Sequence, residues 1–313
     1  MTLADAIEIT APLGYVKPPK LTGFRSMTER EYHRDPAPAP SFSASLGKVI
    51  LDQSPAHAYL AHPRLGGSVR EPTSAMEFGT LVHKLILGAG ASVVSVNADS
   101  WKTSAAKQQR DEARAVGKLA VLASTLDEAA KIQEAFRKQY PADQAALFNR
   151  GDSERVLIVE QPNHKSGDPA AHVFARGMLD RVLIEARDNT GFIWDIKTCA
   201  DASPEAIERT IYERHYDMQM MCYEWLLGIV RPELSGRITT QLIFIESAEP
   251  YSVVPVELDS MFRQIGRSKL GRAWDSWCQC CATGIWPSYT DKVITLGPPT
   301  WAASRELDDT FTS

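Results

Sequence analysis

The octapeptide FIWDIKTC, at 192–199, sets an acid and a base two residues apart inside a run that otherwise wants to leave water. Phe192, Ile193, Trp194 and Ile196 read as a buried strand, where an isolated carboxylate or ammonium is costly. Side chains alternate along a strand, so Asp195 and Lys197 point the same way while the Ile196 carbonyl lies edge-on to the same neighbourhood. The segment RDNTG, at 187–191, reads as a turn, and VFARGMLDRVLIE, at 173–185, as the strand before it, kinked at Gly177. If the two strands pair around that turn, Asp180 approaches Asp195. Adjacent carboxylates repel unless a cation sits between them. Hard oxygen ligands suit Mg²⁺ or Mn²⁺. Such a centre, with Lys197 holding a water, is what phosphodiester hydrolysis requires. The plainer alternative is a same-face ion pair on a half-exposed strand.

The chain of 313 residues, 44% hydrophobic and 23% charged, can bury a large core. It has no apolar run of about 18 residues, the length a membrane helix needs. The opening MTLADAIEITAPLGY lacks the basic and apolar regions of a signal peptide. A cytoplasmic protein without a membrane span is therefore predicted. The five cysteines, Cys199, Cys222, Cys278, Cys280 and Cys281, contain no CxxC pair and read as free thiols. A net charge of −5 argues against a broadly basic nucleic-acid-binding chain, but leaves room for a basic groove.

Along the chain, 1–40 reads as an irregular leader with the Pro-rich stretches VKPPK and DPAPAPS. Short helical structure is predicted over 43–60, and a buried helix, apolar nearly all round, over 76–87. A long charged helical region follows at 104–139, broken at Gly117. Strands are predicted over 154–160, 173–185, 192–198, 241–246 and 252–257. A helix starting at Ser203-Pro204 runs to about 230, and a last one covers 258–282.

Two helical features add to the Asp-x-Lys strand. Gln219 and Tyr223 stand four apart and share a helix face, with Ile211 and His215 preceding them on it. His83 lies on the 76–87 helix one turn after the small residues Gly79 and Thr80. Lys102, Lys107, Arg110 and Arg114 punctuate the charged segment after Trp101, either as a solvated face or as a surface that tracks phosphates.

Asp180 followed by Asp195-Ile196-Lys197 resembles the pattern of the PD-(D/E)xK nuclease superfamily, with Leu-Asp in place of Pro-Asp. Gln219 and Tyr223 resemble the QxxxY of its RecB-like branch. The segments SFSASLGKVILDQSPAHAYLAHP, AMEFGTLVHKLILG, GMLDRVLIEARDNTGFIWDIKTCADASPEAI and GIWPSY together look like the RecE-type, exodeoxyribonuclease VIII-like family of phages and prophages. The resemblance implies an α/β (α+β) fold with a restriction-endonuclease-like core and a mixed central sheet flanked by helices. One exonuclease domain would span 41–290, with its core at about 150–260 and a tail at 291–313. It implies a Mg²⁺-dependent 5′→3′ exodeoxyribonuclease acting on double-stranded DNA ends, with Mn²⁺ able to substitute. The 3′ tails would serve a RecT-like single-strand annealing protein, and the enzyme would be a homo-oligomeric ring. By position, His83, Asp180, Asp195 and the Ile196 carbonyl would bind the metal, Lys197 would hold the water, and Gln219 and Tyr223 would support the site. No iron–sulfur cluster is expected, because no cysteine lies upstream of Cys199. A RecB- or Cas4-like nuclease of other polarity and a non-catalytic DNA-binding module are the competing readings.

Overall fold

The computed structural model describes residues 23–67, 73–90, 92–299 and 302; the stretches MTLADAIEITAPLGY and VKPPK lie outside them. In chain order the elements are β1 (Gly23–Arg25), α1 (Glu29–His33), β2 (Ser41–Phe42), α2 (Ala44–Asp52), α3 (Pro55–Ala61), α4 (Ser74–Leu87), β3 (Val93–Val96), α5 (Ser104–Ala115), β4 (Leu119–Leu122), α6 (Ala123–Gln139) and α7 (Ala142–Phe148). The second half holds β5 (Asp152–Pro162), β6 (His172–Glu185), β7 (Thr190–Cys199), α8 (Pro204–Glu213), α9 (Tyr216–Val230), β8 (Ile238–Glu246), β9 (Val253–Glu257) and α10 (Ser260–Thr283).

Polar caps set the helix starts. The hydroxyls of Ser43, Ser54 and Thr73 accept backbone N–H groups three residues on, and Pro55 occupies the first turn of α3. Gly88 and Gly284 end α4 and α10 in the left-handed conformation.

The central sheet runs β1-β5-β6-β7-β8-β9, with β2 joined to β6. The β5–β6–β7 meander is antiparallel, β7 and β8 are parallel, and β9 returns antiparallel. This is the mixed α/β architecture predicted. Alternation on β7 sends Ile193 into one core, with residues of α2, α8, α9 and α10, and Trp194 and Ile196 into a second, with residues of α4, α6 and α7. Helices therefore cover both faces. Among the described residues no helix is long and apolar enough to cross a membrane.

Five local expectations are corrected. The leader is not irregular throughout, because β1 pairs with β5 and α1 carries a Thr28–Glu31 capping box. The 104–139 region is two helices around β4, which forms a small parallel sheet with β3; Gly117, at φ 73, makes the turn. Only Leu81, Val82 and Leu87 of α4 are buried, so that helix faces the core on one side. The helix from 203 to 230 breaks at His215, whose φ is 51, giving α8 and α9; Ile211 is thus not in line with Gln219 and Tyr223. Gly177 does not kink β6. It pairs with Leu157 in the ladder, and a Cβ there would lie 2.8 Å from Leu226 and 3.2 Å from the Tyr223 ring. Glycine lets α9 lie close on the sheet.

The DPAPAPS stretch is anchored by charge. Asp35 is fully buried, 3.0 Å from both His62 Nε2 and Arg176 Nη1, and it accepts the Ser41 hydroxyl at 2.6 Å. Removing one member of a buried ionic network strands the others without partners. Asp35→Ala should therefore lose about 3–5 kcal/mol of unfolding free energy in urea titrations; an unchanged midpoint would show that this segment is not part of the cooperative fold.

Candidate active site

β6 and β7 pair from Glu185↔Thr190 to Arg181↔Trp194, and there the ladder stops. Beyond it β6 takes β2 as its neighbour, while β7 continues along β8. The next step of the register places Asp180 beside Asp195, at the mouth of the fork. Asp180 Oδ2 accepts the Ile196 N–H at 2.8 Å, so the carboxylate satisfies a backbone donor that the departing strand leaves free. On the other side, Arg155↔Leu179 and Ser153↔Arg181 place Glu154 opposite Asp180. Three carboxylates thus sit in one row across β5, β6 and β7. Glu154 has φ 49, a region costly for a residue with a side chain and seen at functional sites.

Helices from both faces reach this row. From α4, His83 Nε2 lies 2.8 Å from the Ile196 carbonyl, and Nδ1 lies 3.6 Å from Asp180 Oδ2. Gly79, one turn before His83, faces Thr198 of β7; a Cβ there would stand 3.4 Å from Thr198 Oγ1, an ordinary contact distance. From α9, Gln219 Nε2 donates to Asp195 Oδ1 at 2.8 Å and to the Tyr223 hydroxyl at 3.1 Å. Asp195 is 1% exposed; among the described residues its Oδ2 meets only the Lys197 ammonium. Lys197 also stands over the Tyr216 ring, 4.8 Å from its centroid. The structure therefore gathers His83, Asp180, Asp195, Ile196, Lys197, Gln219 and Tyr223 into one site.

Burial holds Asp180 above the ordinary carboxylate range, and the charge of Asp195 adds to it; His83 and Lys197 pull the other way. Glu154 is raised by burial and then by Glu29 and Asp180. Burial works against the Lys197 ammonium, but Asp195 and Asp180 outweigh it and hold its pKa above the usual lysine value. Lys197 is thus a cation at neutral pH, a hydrogen-bond donor rather than a base. Burial, with Asp195 next, keeps the Tyr223 hydroxyl protonated.

The donor set suits a hard divalent cation: two carboxylates and a carbonyl, with an imidazole alongside. Asp195 Oδ2, buried with no partner but an ammonium, is the oxygen with most to gain. Among the described residues, no three His, Cys, Asp or Glu side chains stand close enough to share one ion as they are. His83 is instead occupied by the Ile196 carbonyl, itself one of the predicted ligands.

Among the described residues, Lys102 and the basic residues of α5 make no hydrogen bond or ion pair with this cluster. Arg114 pairs with Glu77 of α4, Arg110 lies over Trp101, and Lys102 and Lys107 are exposed. Two participants escaped the sequence reading, Glu154 and Lys48. The second donates from α2 to Gln219 Oε1 at 2.6 Å. Both depend on register or packing between distant segments, and neither carries a local signal.

An acid on one strand, an acid-x-base triplet on the next and a glutamine–tyrosine pair on the second helix after it, packed against a mixed sheet, define a PD-(D/E)xK nuclease-type domain. Residues 43–296 match the family described as a PDDEXK-like domain of unknown function (DUF3799), and the chain belongs to it. No curated protein matches the sequence. Among solved structures, a candidate exonuclease from Eubacterium rectale aligns with 90% of this chain and 98% of its own, at 12% identity and a TM-score of 0.57. That likeness is one of fold. A second structure, SSO0001, aligns with 70% of this chain and 100% of its own at 13% identity, with a TM-score of 0.25 too low to carry an argument.

An acid whose pKa is higher folded than unfolded contributes stability that is fully present below its unfolded value and is lost as pH rises through the folded value. Asp180 is such an acid, so its ionised form is a burden at neutral pH without metal. Asp180→Asn, which keeps an acceptor for the Ile196 N–H, should melt higher than the parent in EDTA at about pH 7, and the gap should close towards about pH 4. Calorimetry across that range checks it; a variant that melts lower throughout would mean that the carboxylate is needed for the fold.

Proposed function

We propose that this protein is a divalent-metal-dependent exodeoxyribonuclease that degrades linear double-stranded DNA 5′→3′ and leaves 3′ single-stranded tails for an annealing partner. The observation that carries the reading is the fork itself, where Asp180, Asp195 and Lys197 converge under Gln219 and Tyr223. Mg²⁺ is the proposed ion, with Mn²⁺ able to replace it. His83, Asp180, Asp195 and the Ile196 carbonyl are the proposed holders. Such an ion, when bound, offsets charge developing on the phosphate and makes water more acidic. Exonuclease activity is further supported by the Eubacterium rectale likeness, over 98% of that candidate exonuclease. Polarity, the annealing partner and a ring-shaped homo-oligomer rest on the sequence resemblance.

Within this reading each side chain has a task. Gln219 and Lys197 fix Asp195 from opposite oxygens. Lys197, charged and donating, orients the attacking water. Tyr223, buried and protonated, receives the second Gln219 N–H and keeps the amide from turning.

Linear duplex should be consumed and covalently closed circles spared, with 5′-end label released before 3′-end label; activity in excess EDTA would rule out the metal mechanism. Asp195→Asn and Lys197→Ala should each lower the rate by at least ~10²-fold, and the double variant little more, because such groups act as a unit. Near-normal turnover by Lys197→Ala would sink the assignment.

His83→Ala should raise the metal concentration needed for half-maximal rate and recover partly at high Mn²⁺. If it lowered the melting temperature and left the metal requirement unchanged, the imidazole would be a packing group.

A further inference from the structure

Lys48 is a second ammonium in the site, brought there by α2. It stands 4.6 Å from the centroid of the Tyr216 ring that Lys197 also faces. The two differ in how their charge is met. Lys197 is paired with Asp195. Among the described residues Lys48 has no carboxylate within ion-pair distance; the nearest acid on its own helix, Asp52, is paired with His215, and Asp217 with Lys269. Its one hydrogen bond goes to a neutral amide oxygen, Gln219 Oε1.

A half-buried cation without a counter-charge is unfavourable. Burial and the Lys197 ammonium accordingly push its pKa down to about 7, against Asp195, Asp217 and Asp52. An anion arriving beside Tyr216 would remove that penalty. In a site for phosphodiester hydrolysis, the anion that arrives is a backbone phosphate.

Resting on the proposed nuclease reading, we propose that Lys48 is a DNA-contacting residue whose ammonium binds a backbone phosphate of the substrate strand at the cleavage site. The bond to Gln219 aims it. An ammonium only donates, so a charged Lys48 takes the Gln219 oxygen and leaves its NH₂ group to Asp195. Lys48 thus holds a fixed place in the hydrogen-bonded chain that ends on Asp195, with two further ammonium hydrogens for an oxygen ligand.

The test is the salt dependence of duplex binding by the full chain in EDTA, where the metal-dependent reaction cannot run. Each phosphate that a protein ceases to neutralise lowers the slope of log K against log salt by roughly 0.9. Lys48→Gln retains a donor for Gln219 but not the charge; it should bind several-fold more weakly and show a slope smaller by about one. Lys48→Arg should keep the parent's slope. If Lys48→Gln keeps the parent's slope and affinity, or if Lys48→Arg falls as far as Lys48→Gln, the phosphate contact is refuted. A parent chain that binds and cuts DNA while Lys48→Gln is unchanged overturns this inference alone; a parent that neither binds nor cuts overturns the nuclease reading with it.

Discussion

One hydrogen bond marks the point on which the site depends, that from the Ile196 N–H to Asp180 Oδ2. Up to Arg181↔Trp194 the backbone of β7 is satisfied by β6; beyond, it faces an opening. A buried amide cannot be left unpaired without a cost of about 1–3 kcal/mol. The sheet can part here because a side chain supplies the acceptor. The same bond orients Asp180 towards Asp195 and leaves the Ile196 carbonyl for His83. Fold and chemistry therefore use one group. Restoring the ladder would close the fork, while deleting the carboxylate would strand the amide.

The fork also explains why opposite faces of the protein meet at one place. In a continuous sheet, α4 and α9 would be separated by a layer of backbone. Where β6 and β7 diverge, His83 from one side and Gln219 from the other reach neighbouring residues of β7. The charges they bring do not balance by proximity alone. Acids at 154, 180 and 195 are crowded: burial, Glu29 and Asp180 raise Glu154, and burial and Asp195 raise Asp180. Lys197 answers Asp195, and Lys48 has no carboxylate of its own among the described residues, only the Gln219 oxygen. The arrangement is costly as it stands, and on the proposed reading a cation and a phosphate would offset that cost.

What was legible in the sequence was what is local. Asp195 and Lys197 share a face because strands alternate, Asp180 comes opposite because a short turn joins its strand to theirs, and Gln219 and Tyr223 are one helical turn apart. What was illegible was set by distant contacts. Lys48 is an ordinary residue of α2 until that helix packs against α9, 171 positions on. Glu154 joins the row only through the β5–β6 register. The leader looked structureless because prolines suppress periodicity, yet Asp35 ties it to His62 and Arg176. The break at His215 left no Gly or Pro as a sign, since a histidine occupies the left-handed conformation.

That break has a physical cause that bears on the site. Lys269 of α10 is buried and reaches both sides of it, donating to the Tyr212 carbonyl at 3.0 Å and pairing with Asp217 at 2.8 Å. Tyr212 lies in the last turn of α8 and Asp217 in the first turn of α9, so one ammonium holds the two helix ends together. A buried ion pair contributes little net stability compared with apolar packing, but it tolerates few geometries. Gly266 tightens the constraint, since a Cβ there would lie 2.6 Å from the Asp217 carbonyl. An apolar seam between α9 and α10 would allow sliding and rotation; a charge pair beside a close backbone contact does not. Gln219 is two residues from Asp217 and Tyr216 one residue before it. The start of α9, fixed by Lys269, therefore decides whether the Gln219 amide meets Asp195 and whether the Tyr216 ring lies beside both lysines.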